Sequence, residues 1–221
     1  MMVVAFNLWQ LILKGGPMMW PIILLSVVSL AVGIERLRFL ASMDKLVKAH
    51  KADLMRSLQE ETIKQSLVLC ETYQSPFSRI FKAAILKFGN SADVIKTAME
   101  EVFTYEVHRL TERMSVLVFI INASVLMGLL GTVIGLTVVF HAVQVRANVL
   151  NPLSVGDMSV GVWQALFTTV AGLIVCILSY SIYSFCSARI ANTVADLKLA
   201  MVQLSHVLIQ KTELNEASRD S

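Results

Sequence analysis

The sequence predicts an all-α membrane protein with three transmembrane helices. Helices 2 and 3 are long and extend into a cytoplasmic helical bundle, and an interfacial amphipathic helix precedes them at the N-terminus. Three observations predict this fold. Only 16% of the 221 residues are charged and 56% are hydrophobic, whereas a soluble domain carries about a quarter charged residues. Charges are missing altogether from residues 15–34, 114–145 and 158–188, and each run reaches the ~20 residues that cross a bilayer core. Outside those runs, apolar residues recur at helical spacing.

Residues 1–14 are apolar over too short a stretch to span. Asn7, Gln10 and Lys14 form a narrow polar stripe on that stretch, the pattern of a helix lying along a membrane surface. Gly15-Gly16-Pro17 then breaks the chain and leads it into transmembrane helix 1, residues 15–35. Ser29-Leu30-Ala31 resembles a signal-peptidase site, but no basic segment precedes the apolar run and basic residues follow it at once. An uncleaved anchor fits better.

Residues 36–113 read as a cytoplasmic helical domain. Phe77, Ile80, Phe81, Ala84, Ile85 and Phe88 share one helical face directly after Pro76. Gly89 suits the end of that helix, and Asn90 or Ser91 suits the cap of the next. Ile95, Met99, Val102, Val107, Leu110 and Met114 continue an apolar face without a breaker, which predicts one helix from 92 to 145, about 80 Å long. Its membrane portion, transmembrane helix 2, is 114–145. A periplasmic loop follows at 146–157, then transmembrane helix 3 at 158–188. Residues 189–221 form a cytoplasmic helix and tail, in which Val194, Leu197, Met201, Leu204 and Leu208 mark a packed face.

Arg36, Arg38, Lys45, Lys48, Lys51, Arg109 and Arg113 flank the 36–113 segment, while the 146–157 loop has only Arg146 before Asp157. The positive-inside rule therefore places the N-terminus in the periplasm and the C-terminus in the cytoplasm of a multi-pass protein of the bacterial inner membrane.

Several functions are set aside. A net charge of +3 with no basic stripe gives no nucleic-acid surface. Cys70, Cys176 and Cys186 form no paired motif, and His50 and His108 lack neighbouring partners. No metal site, cofactor, reactive thiol or enzyme active site is expected.

Small residues mark where helices meet in a membrane. Gly128, Gly131 and Gly135 lie on helix 2; Ala165, Thr168, Thr169, Gly172, Cys176 and Ser179 lie on helix 3. Helix 1 has no such stripe, so helices 2 and 3 form the inner layer. Thr132 and Thr169 fall at a similar depth, roughly 18–20 Å below the outer ends of their runs. Spacing leaves two roles open for them: a polar ring in an oligomer, or hydroxyls bonded one turn back on their own helix. No acid lies within the three charge-free runs, so an ion path through this chain needs an acid from a partner.

Three motifs resemble the MotA/TolQ/ExbB proton channel family, on its TolQ/ExbB branch. They are Gly15-Gly16-Pro17-Met18-Met19-Trp20-Pro21 with Ile34-Glu35-Arg36, then Gly128-Leu129-Leu130-Gly131-Thr132-Val133-Ile134-Gly135-Leu136, then 161–173 from Gly161-Val162-Trp163-Gln164 to Ala171-Gly172-Leu173. The resemblance implies a pentamer in membrane lipid around an ExbD/TolR-like single-span partner whose intramembrane Asp takes the ion. It implies a motor driven by proton-motive force that energises TonB- or Tol-type transport, with a TonB- or TolA-like protein as a further partner. Thr132 and Thr169, with Thr168 and Gln164, become the ion pathway, and H+ the expected ion. Gly128, Gly131, Gly135, Ala165 and Gly172 become the packing around it. Gln164 stands where the family commonly has Glu, and Val125 where it commonly has Pro. The rival expectation is a non-conducting membrane scaffold of an envelope complex.

Overall fold

The computed structural model describes residues 15–60, 63–73, 75–147 and 155–217, and all regular structure among them is helical. The expected interfacial helix at 1–14 lies outside the described residues, as does most of the 146–157 connection. Six helices follow one another among the described residues: α1 Met19–Glu60, α2 Ile63–Thr72, α3 Pro76–Leu86, α4 Ala92–Thr111, α5 Met114–Ala147 and α6 Val155–Ala217. Among the described residues two stretches, Ala92–Val145 and Met158–Thr212, are long and apolar enough to cross a membrane. The chain divides into two compact units, one drawn from Met1–Glu35 and Arg113–Ser184, the other from Arg36–Glu112 and Phe185–Ser221.

In the first unit, α1, α5 and α6 pack together. The turn before α1 uses Gly16 at φ +72°, a conformation that suits glycine, and the Met19 amide donates to the Gly16 carbonyl. Ile22 of α1 packs against Ile120 of α5 and Val175 of α6, with Leu25, Met127 and Ala171 around them. Farther along α1, the buried Ser29 and Ser179 hydroxyls share a 2.6 Å hydrogen bond. The other face of α1 exposes Trp20, Leu24, Val27, Leu30 and Ile34.

The second unit is held by different chemistry. Pro76 at the first position of α3 fixes its φ, and the Ser75 hydroxyl caps the helix by accepting from the Ser78 amide at 3.1 Å. The predicted face of α3 is buried at Phe77, Ile80, Phe81, Ala84 and Ile85, and α3 packs against both α2 and α4. Leu40, Val47 and Leu54 of α1 are buried at seven-residue intervals, a coiled-coil repeat. On this part of α6 the buried positions are Cys186, Ile190, Thr193, Leu197, Ala200, Leu204, Ser205 and Leu208. The seam therefore runs through Thr193 and Ala200, while Val194 and Met201 lie half-buried beside it. Close approach of helices favours the smaller side chains at the centre.

The unbroken helix expected from 92 to 145 is instead two helices, α4 and α5, separated by Glu112 and Arg113. Glu112 is extended at φ −50°, ψ 141°, and Arg113 adopts φ +63°, a left-handed conformation uncommon outside glycine. The Glu112 amide still closes the end of α4 on the His108 carbonyl. Arg113 pairs with Glu35, both half-exposed, so the pair contributes little stability. Neither Gly nor Pro marks this turn, so nothing in the residue types announces it.

Glu106 of α4 is buried and bonded to Arg79 of α3 at 2.7 Å, while the Arg79 side chain is 41% exposed. Removing the cation strands a buried carboxylate, which costs about 3 kcal/mol. Arg79→Ala should lower stability by that order in a denaturation series in detergent, and Glu106→Gln by less than half as much. Burial pushes the Cys70 thiol up to about 12, with the Lys82 ammonium drawing it partly back. Only the thiolate alkylates, so at pH 8 Cys70 should react on the order of a thousandfold more slowly than a free thiol. Its rate should rise about tenfold per pH unit, as followed by mass spectrometry of the Cys70 peptide.

Candidate ion-pathway site

Apart from Gln164, the expected site residues lie where α5 and α6 meet, and glycine governs that meeting. A methyl group added at Gly172 would lie 2.5 Å from the Ser124 carbonyl and 3.0 Å from the Gly128 Cα. At Gly135 it would lie 2.8 Å from the Ala165 Cβ and 3.0 Å from the Gly161 carbonyl, and at Gly131 it would strike the Thr168 hydroxyl. At Gly128 it would meet the Thr169 Cα at 3.3 Å. The helices thus touch backbone to backbone, the arrangement that small residues permit in lipid. Gly161 against Val139 extends the same contact by another turn.

The hydroxyls divide into three situations. Thr168 is fully buried and shares its hydrogen between the Gln164 carbonyl at 3.2 Å and the Ala165 carbonyl at 2.9 Å. Thr132, half-buried, donates to the Leu129 carbonyl on its own helix at 2.6 Å. Thr169, also half-buried, crosses to α5 and donates to the Gly128 carbonyl at 3.0 Å. In an α-helix that carbonyl also receives the amide of the residue four positions later, here Thr132. The two threonines therefore stand at one level. Gln164 lies elsewhere: it sits over Gly16, so a side chain there would collide with its amide.

The direction in which the threonines lie follows from where α1 packs. Taking the α6-facing Gly128 as zero, Thr132 lies roughly 40° to one side of α5 and Met127 roughly 100° to the other. On α6, relative to Gly172, Thr169 lies roughly 60° to one side and Ala171 roughly 100° to the other. Met127 and Ala171 both pack into the cluster that α1 completes with Ile22 and Leu25. Both threonines therefore edge the side of the α5–α6 pair that α1 leaves open.

The profile of the MotA/TolQ/ExbB proton channel family matches residues 72–198, more than half of the chain and all of α5. The chain belongs to this family. Its relatives within the MotA/TolQ/ExbB family include a biopolymer transport protein ExbB homologue of Methanothermobacter thermautotrophicus, 28% identical over 191 residues. That alignment covers 84% of this chain and 65% of the relative, so the chain spans just under two thirds of that protein's length. Two Synechocystis proteins are named biopolymer transport protein ExbB-like 1 and ExbB-like 3. They are 29% identical over 175 residues, covering 77% of this chain and 67% of the relative, and 26% over 165 residues, covering 75% and 78%. With family membership and two long apolar stretches, the chain is a helical membrane protein.

Sequence reasoning picked out the glycine stripe of this MotA/TolQ/ExbB chain but missed the Ser29–Ser179 bond. Its only signal is a pair of small polar residues in two apolar runs. Overpacking costs about 1–3 kcal/mol, and the clash at Gly172 is with backbone. Gly172→Ala should therefore destabilise the protein by about 2–3 kcal/mol. Gly128→Ala, with contacts of 3.3–3.4 Å, should cost less than about 1 kcal/mol by the same measure, unfolding in detergent.

Proposed function

We propose that this protein is the ring-forming subunit of a motor driven by proton-motive force. Five copies surround a single-span ExbD/TolR-like partner, whose intramembrane Asp supplies the acid that the charge-free runs lack, and the complex energises TonB- or Tol-type envelope transport. α1, α5 and α6 each cross the bacterial inner membrane once, with the N-terminus and the 146–157 loop outside. The mixed-charge segment 36–113 and the C-terminal tail then lie inside as a helical bundle. The activity is ion transport without covalent chemistry. At about 2.3 kcal/mol per charge per 100 mV, each mechanical cycle uses several ions.

The observation that carries this reading is the placement of Thr132 and Thr169 at one level on the side that α1 leaves open. Each hydroxyl has its hydrogen on a backbone carbonyl, which leaves oxygen lone pairs to accept from a protonated acid or a hydrated ion. The family and the transport names of the relatives support the same reading. Thr168 and Gln164 act from behind: the first fills the seam beneath Gly131, and the second seats α6 on the turn before α1.

One observation favours the non-conducting scaffold: both threonine hydrogens already have acceptors inside the chain. Co-reconstitution with the single-span partner separates the two. Thr169→Val keeps the shape and loses one interhelical bond of about 0.6 kcal/mol, so assembly should persist. Proton flux, read with an entrapped pH dye, should fall at least tenfold, and Thr169→Ser should restore most of it. Full flux through the Val variant would assign the chain to the scaffold.

A further inference from the structure

Inward of the threonines, the open side of the α5–α6 pair carries two polar side chains among exposed apolar ones. Outward from Thr132 and Thr169 it presents Leu136, Phe140, Val162 and Leu166, all exposed. Inward it presents Asn122 and Tyr180 beside Val118, Val125 and Leu173, all exposed. Asn122 precedes Thr132 by ten residues, roughly 15 Å, and lies roughly 120° from Gly128 towards the Thr132 side. Tyr180 lies roughly 80° from Gly172 towards the Thr169 side. The antiparallel register that seats Gly172 on Ser124 and Gly128 on Thr169 brings Tyr180 within about one turn of the Asn122 level.

Asn122 uses one amide hydrogen on the Val118 carbonyl at 3.1 Å. Its carbonyl oxygen and second hydrogen have no partner among the described residues. Hydrocarbon tails offer neither a donor nor an acceptor, so an amide facing them is left with unmet groups. Asn122 also lies nine residues, roughly 14 Å, from Arg113, where the charge-free run begins. Ser115, likewise exposed, stands between the two.

We infer that Asn122 and Tyr180 form an inner hydrated station that passes a cation, with its water, between the threonine level and the Arg113 end of α5. It rests on the motor reading above and adds to it the inner part of the path. Neutral groups that both donate and accept suit a chain of water. A fixed charge at that position would hold the ion instead of releasing it.

The test uses the assembled complex in proteoliposomes, with Cys70, Cys176 and Cys186 replaced by serine or alanine. Asn122→Cys, Tyr180→Cys, Thr169→Cys and Phe140→Cys are each treated with a charged methanethiosulfonate and with a lipid-soluble maleimide. The charged reagent should modify Asn122→Cys and Tyr180→Cys at least tenfold faster than Phe140→Cys. In the native-cysteine complex, Asn122→Leu should lower proton flux several-fold and Asn122→Ser should keep it. Modification of Asn122→Cys by the lipid-soluble reagent alone would overturn the station, as would its disulfide crosslinking to a neighbouring helix with full flux in Asn122→Leu. Loss of flux in Thr169→Val beside a dry Asn122→Cys would remove the station and leave the motor intact. A wet Asn122→Cys with unchanged flux in Thr169→Val would remove the motor and the ion role of the station with it.

Discussion

The close contact between α5 and α6 governs the first unit and the candidate site within it. Lipid tails are as apolar as leucine, so helices in a membrane gain little by hiding greasy side chains from their surroundings. What holds them is short-range attraction, which grows as backbones approach, and the occasional interhelical hydrogen bond. Gly128, Gly131, Gly135, Gly161 and Gly172 supply the approach, and Thr169 supplies the bond. Because each glycine meets a particular atom on the opposite helix, the contact also fixes register. That register puts Thr132 and Thr169 at one height.

α1 adds an asymmetry to this pair. By packing through Ile22 and Leu25 on one flank, and by bonding Ser29 to Ser179, it closes that flank and leaves the other for the threonines. The second unit needs no glycine. It buries heptad positions on α1 and on α6, a proline-initiated and serine-capped α3, and a Glu106 that requires Arg79. The two units thus rest on different contacts, glycine approach in the first and heptad, cap and ion-pair contacts in the second.

Much of this was legible in the residues. Absent charges outlined the two long apolar stretches, the i, i+3, i+7 glycines on α5 pointed to a tight contact, and the face of α3 came directly from its aromatic and aliphatic spacing. The failures have physical causes. The turn at Glu112–Arg113 uses ordinary residues in a backbone shape that only the folded chain requires. Thr193 and Ala200 were passed over for Val194 and Met201 because hydrophobicity ranks the larger side chains higher, whereas close packing selects the smaller. Thr168 and Thr169 are neighbours of one type in one motif, yet one is sealed in the seam and the other reaches across it. A 100° step around a helix decides that difference, and only the position of the neighbouring helix says which way it falls.

The central claim is that Thr132 and Thr169 of every copy face a common axis occupied by an acid from another chain. Its most direct test is a density map of the complete assembly, purified in lipid nanodiscs with its single-span partner. The account predicts both hydroxyls within direct or one-water hydrogen-bond reach of the partner's intramembrane carboxylate. Threonines bordered by lipid density, with the partner helix bound elsewhere or not at all, would contradict it.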